Sequence, residues 1–186
     1  MTKSYTKILQ YPDPVLKNKS KDIKGIDSEV KNLLEDLKKL AKLNSKEGIT
    51  LVGLSAPQIG VNWNVFVYFD FTKEKYIEVI NPKLIYTSKD FTYEWEGCAS
   101  VGMGETSLFG PVKRSKSTQI QFTDIDGKES ILSATNYLSH VILHELDHLD
   151  GIIFLERVED PTMNYTAKEL YEYAKKHCGK YPKINK

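Results

Sequence analysis

Residues 143–151, LHELDHLDG, place His144 and His148 four apart, with Glu145 directly after the first histidine. On an α-helix such residues differ by about 40° around the axis, so both imidazoles leave one face a turn apart and can meet a single cation. Glu145 lies about 100° beyond His144, to the side of the pair, where a carboxylate can reach a water activated by the cation without ligating it. A carboxylate there can take a proton from that water and later deliver it to a leaving amine. Paired histidines also occur on ordinary helices, but the interposed glutamate and the flanking apolar residues favour a metal site. Asp147 is open to two roles, orienting a ligand histidine or lying at the surface.

A catalytic site of this type needs a third protein ligand and one position left for water. No histidine follows His148 until His177. Glu169 has capping-box spacing from Thr166, which makes it a helix cap before a ligand. His140 precedes His144 by one turn, and three successive turns of one rigid helix do not readily close a compact tetrahedral site, so it is assigned to packing or to the surface. Of the two thiols, Cys98 sits between Gly97 and Ala99, small neighbours that allow close approach of a ligand or substrate, whereas Cys178 lies in KKHCGKY near the chain end. Cys98 is the better candidate.

The elements that must bring these residues together are an amphipathic helix, a block of short strands and two further helices. In the stretch DSEVKNLLEDLKKLAKLN, Val30, Leu33, Leu34, Leu37, Leu40 and Ala41 share one helical face, with Asp27 placed to cap its start. From about residue 49 to 134 the pattern is β: WNVFVYFD alternates Val65, Val67 and Phe69, YIEVINPKLIYTS reads as two strands broken at Asn81-Pro82, and Asp126-Gly127 marks a hairpin. The motif helix follows, with Thr135 or Asn136 as its N-cap. Helix, strands, then helices define an α+β protein in which residues 1–186 form one domain. Lysine and arginine number 26 against 25 acidic residues, which gives no support to binding DNA or other polyanions. No run of eighteen apolar residues occurs, and the start lacks a cleavable apolar segment, so a soluble cytoplasmic protein with no membrane contact is expected. Two cysteines are too few for a disulfide framework.

Three ordered blocks, GLSAPQIG, EGCAS and HELDH, together with the opening ILQYPDPVLK, resemble the peptide deformylase family. The resemblance implies antiparallel sheets surrounding a central metal-binding helix, with an N-terminal and a C-terminal helix. It implies that Cys98, His144 and His148 hold one divalent metal, Fe2+ in the cell with Zn2+ or Ni2+ in purified material. It also implies that Glu145 is the general acid/base, that Gln58 and the backbone N–H of Ala99 stabilise an oxyanion, and that Gly53 contacts substrate. The reaction would be removal of the formyl group from the N-terminal formylmethionine of new polypeptides. The resemblance further suggests that Glu96 pairs with Arg114.

The sequence departs from the family pattern at Leu51, Ser55, Ala99 and Leu143, and Phe109 stands where many members carry an arginine. Gly102, Gly104 and Gly110 read as flexible surface at the rim. A hydrolase acting on another N-acyl or peptide amide, and a non-catalytic metal-binding protein associated with the ribosome, are the alternatives. The lysines at 175, 176, 180, 183 and 186 form a basic end open to weak contact with ribosomal phosphates or to solvent.

Overall fold

A computed structural model describes residues 5–45, 51–102 and 104–184. The elements in chain order are α1 (Ser28–Leu43), β1 (Gly53–Ser55), β2 (Val65–Asp70), β3 (Lys75–Thr87), β4 (Phe91–Gly97), β5 (Leu108–Ser115), β6 (Ser117–Thr123), β7 (Glu129–Thr135), α2 (Tyr137–Leu149), β8 (Tyr165–Thr166) and α3 (Ala167–Lys176). The strands make a five-stranded sheet, β1-β2-β3-β6-β7, and a three-stranded one, β4-β5-β8. All ladders within both are antiparallel. Helix α2, which carries both motif histidines, packs on β1, β2, β6 and β7 of the large sheet and on β5 of the small one. This is the expected α+β arrangement.

Helix α1 forms where its pattern and its cap agree. The Asp27 carboxylate accepts the N–H groups of Glu29 and Val30 at 2.9 and 3.0 Å, satisfying donors that the first turn leaves free. The apolar face from Val30 to Ala41 then packs on Leu54, Val65, Val67 and Ile80 of the large sheet. The opposite face of that sheet contributes Phe66, Tyr68, Val79 and Ile120, which pack with Val141, Ile142 and Leu149 of α2. β2 is therefore buried on both faces from Val65 to Tyr68, rather than on the single face its alternation suggests. The reason is tertiary: a helix covers each side of the sheet.

Asn81-Pro82 does not divide two strands. β3 runs through it, with a register shift between Ile80 and Lys83 where pairing passes from β2 to β6. Asn81 adopts a φ of 50°, and its side chain accepts the N–H of Ile23 and donates to the Ile23 carbonyl, both at 2.8 Å. The bulge so anchored accommodates a proline that has no N–H for the ladder. The Asp126-Gly127 hairpin forms as expected, joining β6 to β7 with Gly127 at φ 83°. Gly110 is not rim: it lies buried within β5, where a Cβ would press on Val158. Thr166 and Glu169 cap α3 reciprocally, which accounts for the Glu169 carboxylate without a metal. Asn136 stands at the N-cap of α2, although its side chain makes no capping hydrogen bond.

Leu37 is fully buried between α1 and the sheet. Replacing it with alanine is expected to cost about 2–5 kcal/mol, and Asp27→Ala about 1 kcal/mol, each read as a lower urea midpoint at unchanged slope.

Candidate metal centre and active site

The side chains picked out by the motif converge from three directions. α2 supplies His144, Glu145 and His148. The segment leaving β4 supplies Cys98 and Ala99, and the 3-10 turn Ala56–Ile59 after β1 supplies Gln58. A cavity of about 340 Å³ is lined by Gly53, Gln58, Cys98, Ala99, His144 and Glu145, among others. His148 lies buried behind it, 1% exposed.

The ligand atoms of Cys98, His144 and His148 all lie within 4.8 Å of one another. Cys98 Sγ is 3.2 Å from His148 Nε2. Nδ1 of His144 is held at 2.9 Å by Oε2 of Glu96, which leaves Nε2 as the atom available to a cation. Burial pushes the His148 imidazole well below its ordinary pKa, toward the neutral form a metal requires. Burial would also lower His144, but hydrogen bonds with Cys98 and Glu96 outweigh it and raise this imidazole. A thiol and two imidazoles at these separations fit a divalent transition metal of the zinc or ferrous type. Among the described residues, Nδ1 of His148 and Oε2 of Glu145 are buried without a hydrogen-bond partner.

Glu145 is 3% exposed, and burial pushes its carboxyl up to about 7 against the lowering influence of the His144 charge. It fits beside β1 only because residue 53 is glycine: a Cβ there would overlap Oε1 of Glu145. Gly53 thus lines the cavity and makes room for the carboxylate.

Gln58 is 2% exposed. Its Oε1 accepts from both the N–H and the hydroxyl of Ser55 at 2.9 Å, which turns Nε2 toward Cys98 Sγ at 3.5 Å and Ser100 Oγ at 3.2 Å. Ser55, a departure from the family pattern, thereby fixes which end of the amide faces the cavity. Ala99 is held through its carbonyl, which accepts from Gln10 Nε2 at 2.8 Å. Gly97 lines the cavity, and the ring of Phe109 also lies against it, where any Cβ would clash.

On the cavity wall Glu96 pairs with Arg114 through two parallel hydrogen bonds, Nε to Oε1 at 2.6 Å and Nη2 to Oε2 at 2.9 Å. Burial would raise the Glu96 carboxyl, but donors from His140, His144 and Arg114 hold it well below the usual carboxylate range. Asp147 fills neither of the roles open to it. It is buried, and it binds Nη1 of Arg114 at 2.7 Å and Nη2 of Arg157 at 2.6 Å rather than a histidine. Arg157 carries no sequence signal for this role. His140, assigned to packing or surface, makes hydrogen bonds to both Glu96 and Thr92. Cys178 is exposed, follows the end of α3 and is not part of the group formed by Cys98, His144 and His148.

The Polypeptide deformylase family pattern matches residues 5–164. Peptide deformylase 2 of Clostridium perfringens is 37% identical over 171 residues, covering 91% of this chain and 97% of that protein. Peptide deformylase 2 of Gloeobacter violaceus is 38% identical over 152 residues, 80% of this chain and 76% of that one. Among solved structures, the Thermotoga maritima peptide deformylase superposes with a TM-score of 0.73 at 26% identity, covering 85% of this chain and 99% of its own. The Synechococcus elongatus enzyme in complex with actinonin gives 0.74 at 27% identity, covering 95% and 90%. The chain belongs to the peptide deformylase family of metal-dependent hydrolases.

Arg114→Met leaves the buried Glu96 carboxylate without its guanidinium and is expected to cost about 3–5 kcal/mol in denaturant unfolding. Gly53→Ala is expected to displace Glu145 while sparing the ligand set; metal content at wild-type level with formate release reduced on the order of a hundredfold is the anticipated pair of results.

Proposed function

We propose that this cavity binds the formylated N-terminal methionine of a newly made polypeptide and hydrolyses the formyl amide to formate and a free amine. The observation that carries this is the convergence of Cys98, His144 and His148 beside a buried glutamate whose Oε2 has no hydrogen-bond partner among the described residues. Cys98, His144 and His148 would hold one divalent cation. When bound, the cation polarises the formyl carbonyl and makes hydroxide accessible from water near neutral pH.

The protein's own groups supply the rest. Glu145, protected from bulk solvent, takes the proton of the attacking water and passes it to the nitrogen of the departing amine, so that the broken C–N bond leaves as a neutral amine. The Nε2 of Gln58, aimed by Ser55, and the backbone N–H of Ala99 donate to the oxygen on which charge develops. Gly53 keeps the wall open beside Glu145. The retention of both Glu145 and Gln58 at the cavity supports an enzyme over a non-catalytic metal carrier, since holding a metal requires neither.

The ligand set suits Fe2+ as the cellular metal, with Zn2+ or Ni2+ substituting in purified protein, because availability helps decide among metals that such donors accept. No described helix is long and apolar enough to cross a membrane. A cytoplasmic enzyme meeting nascent peptides is our reading, with a weak ribosome contact through exposed Lys175, Lys176, Lys180 and Lys183 at the end of the chain. Lys186, counted in the same basic end, lies outside the described residues.

The test is formate release from formyl-Met-Ala-Ser by protein loaded with iron under anaerobic conditions. Glu145→Gln is expected to lower kcat by about 10²–10⁴ and Gln58→Leu by about 10²–10³, with metal retained in both. Chelation should abolish turnover and added metal restore it; formate release indifferent to metal would reject the assignment.

A further inference from the structure

His140 is the histidine of α2 outside the cation set, and it is 2% exposed. Both ring nitrogens are engaged. Nδ1 lies 3.0 Å from Oε1 of Glu96, and Nε2 lies 2.9 Å from the hydroxyl of Thr92. A carboxylate paired with arginine accepts only, so Nδ1 donates to Oε1, while Nε2 shares a hydrogen bond with the Thr92 hydroxyl.

With His140 in place, each oxygen of Glu96 receives two donors. Oε1 accepts from Arg114 Nε and His140 Nδ1, and Oε2 from Arg114 Nη2 and His144 Nδ1. The guanidinium braces the carboxylate from one side, and the two imidazoles brace it from the other. Without His140, Oε1 loses a buried donor, and only His144 itself restrains the carboxylate on the side facing α2. An apolar side chain of similar size would fill the same volume but could not donate.

We propose that His140 is a positioning residue: through Glu96 it fixes the ring of His144, and so the aim of that ring's free nitrogen at the place Cys98 and His148 share. It is not itself a ligand, since both its nitrogens are spent on Glu96 and Thr92. The inference rests on the assignment of Cys98, His144 and His148 as the cation's ligands.

The test compares cobalt(II)-loaded wild type with His140→Leu, His140→Asn and Thr92→Val. Cobalt affinity is measured by chelator competition, the cobalt–thiolate absorption bands report ligand geometry, and circular dichroism reports the fold. Folded His140→Leu should bind cobalt about tenfold more weakly, with shifted bands, as expected for loss of support behind a ligating histidine. Asparagine, whose amide N–H can stand where Nδ1–H stood, should recover most of both. Thr92→Val should shift the bands in the same direction as leucine but by less.

Folded His140→Leu with wild-type affinity and bands would overturn the proposal, as would an asparagine variant as impaired as leucine. Should the leucine variant not fold, Thr92→Val decides, and unchanged affinity and bands in that protein overturn the proposal. Wild type that takes up no cobalt defeats the ligand assignment and this inference with it. Normal wild-type binding with indifferent variants defeats this inference alone.

Discussion

A buried carboxylate must be neutralised where it lies, and the Glu96 carboxylate is the constraint on which the site depends. Its donors come from β5 and from two successive turns of α2. None can shift far without leaving charge unpaired, so the small sheet and the helix are held at one mutual position. Arg114 extends the clamp by reaching Asp147 on the same helix, and Arg157 closes it from the segment that follows. The rotation of α2 about its axis is thereby fixed at more than one point along its length. The same rotation sets where His144 and His148 aim, so the ion-pair network and the placement of the two imidazoles are one structural fact.

The apolar half of the helix enforces that rotation independently. Val141, Ile142 and Leu149 are seated on Phe66 and Ile120 of the large sheet, while α1 buries the sheet's far face through Val65 and Val67. A slip of β2 by one residue would exchange these two sets between the helices. Cys98 comes from the third cluster, with Leu16, Val112 and Phe154. Its sulfur reaches the histidines because β4 ends at Gly97, where the ring of Phe109 covers the strand. The pocket is therefore assembled at the meeting of three packed clusters, which accounts for how little of Cys98, His144 and His148 is exposed.

What the sequence discloses follows from the range of each interaction. The histidine pair and Glu145 are legible because helical spacing alone puts them together, and α1 because its cap and its apolar stripe lie within one short stretch. Cys98 is separated from His148 by 50 residues; local pattern narrows the choice to it, and the family resemblance assigns it, but only the fold brings it within reach. Asn81-Pro82 misleads because a proline normally ends pairing, and the compensating hydrogen bonds come from Ile23, far away in the chain. The partners of Asp147 and His140 are missed for the same reason: Arg114, Arg157, Thr92 and Glu96 sit on other elements, and nothing in the local pattern marks them. The alternation in β2 likewise reports one covered face, whereas the second cover is supplied by a helix distant in sequence.

The chemistry is bought at a local cost in satisfied polar groups. Most buried polar atoms in a folded protein find a partner, yet Oε2 of Glu145 and Nδ1 of His148, within one turn of helix, find none among the described residues. Desolvation keeps the glutamate from ionising as readily as a surface carboxylate would. Packing alone would place a leucine at 145, and no hydrophobic argument asks for glycine at 53 to make room for a carboxylate. That both residues stand where they burden the fold, against a saturated Glu96 on β4 that is bonded to the adjacent His144, marks the contrast. Glu96 spends its hydrogen-bonding capacity within the protein, on Arg114, His140 and His144, whereas among the described residues Oε2 of Glu145 finds no partner.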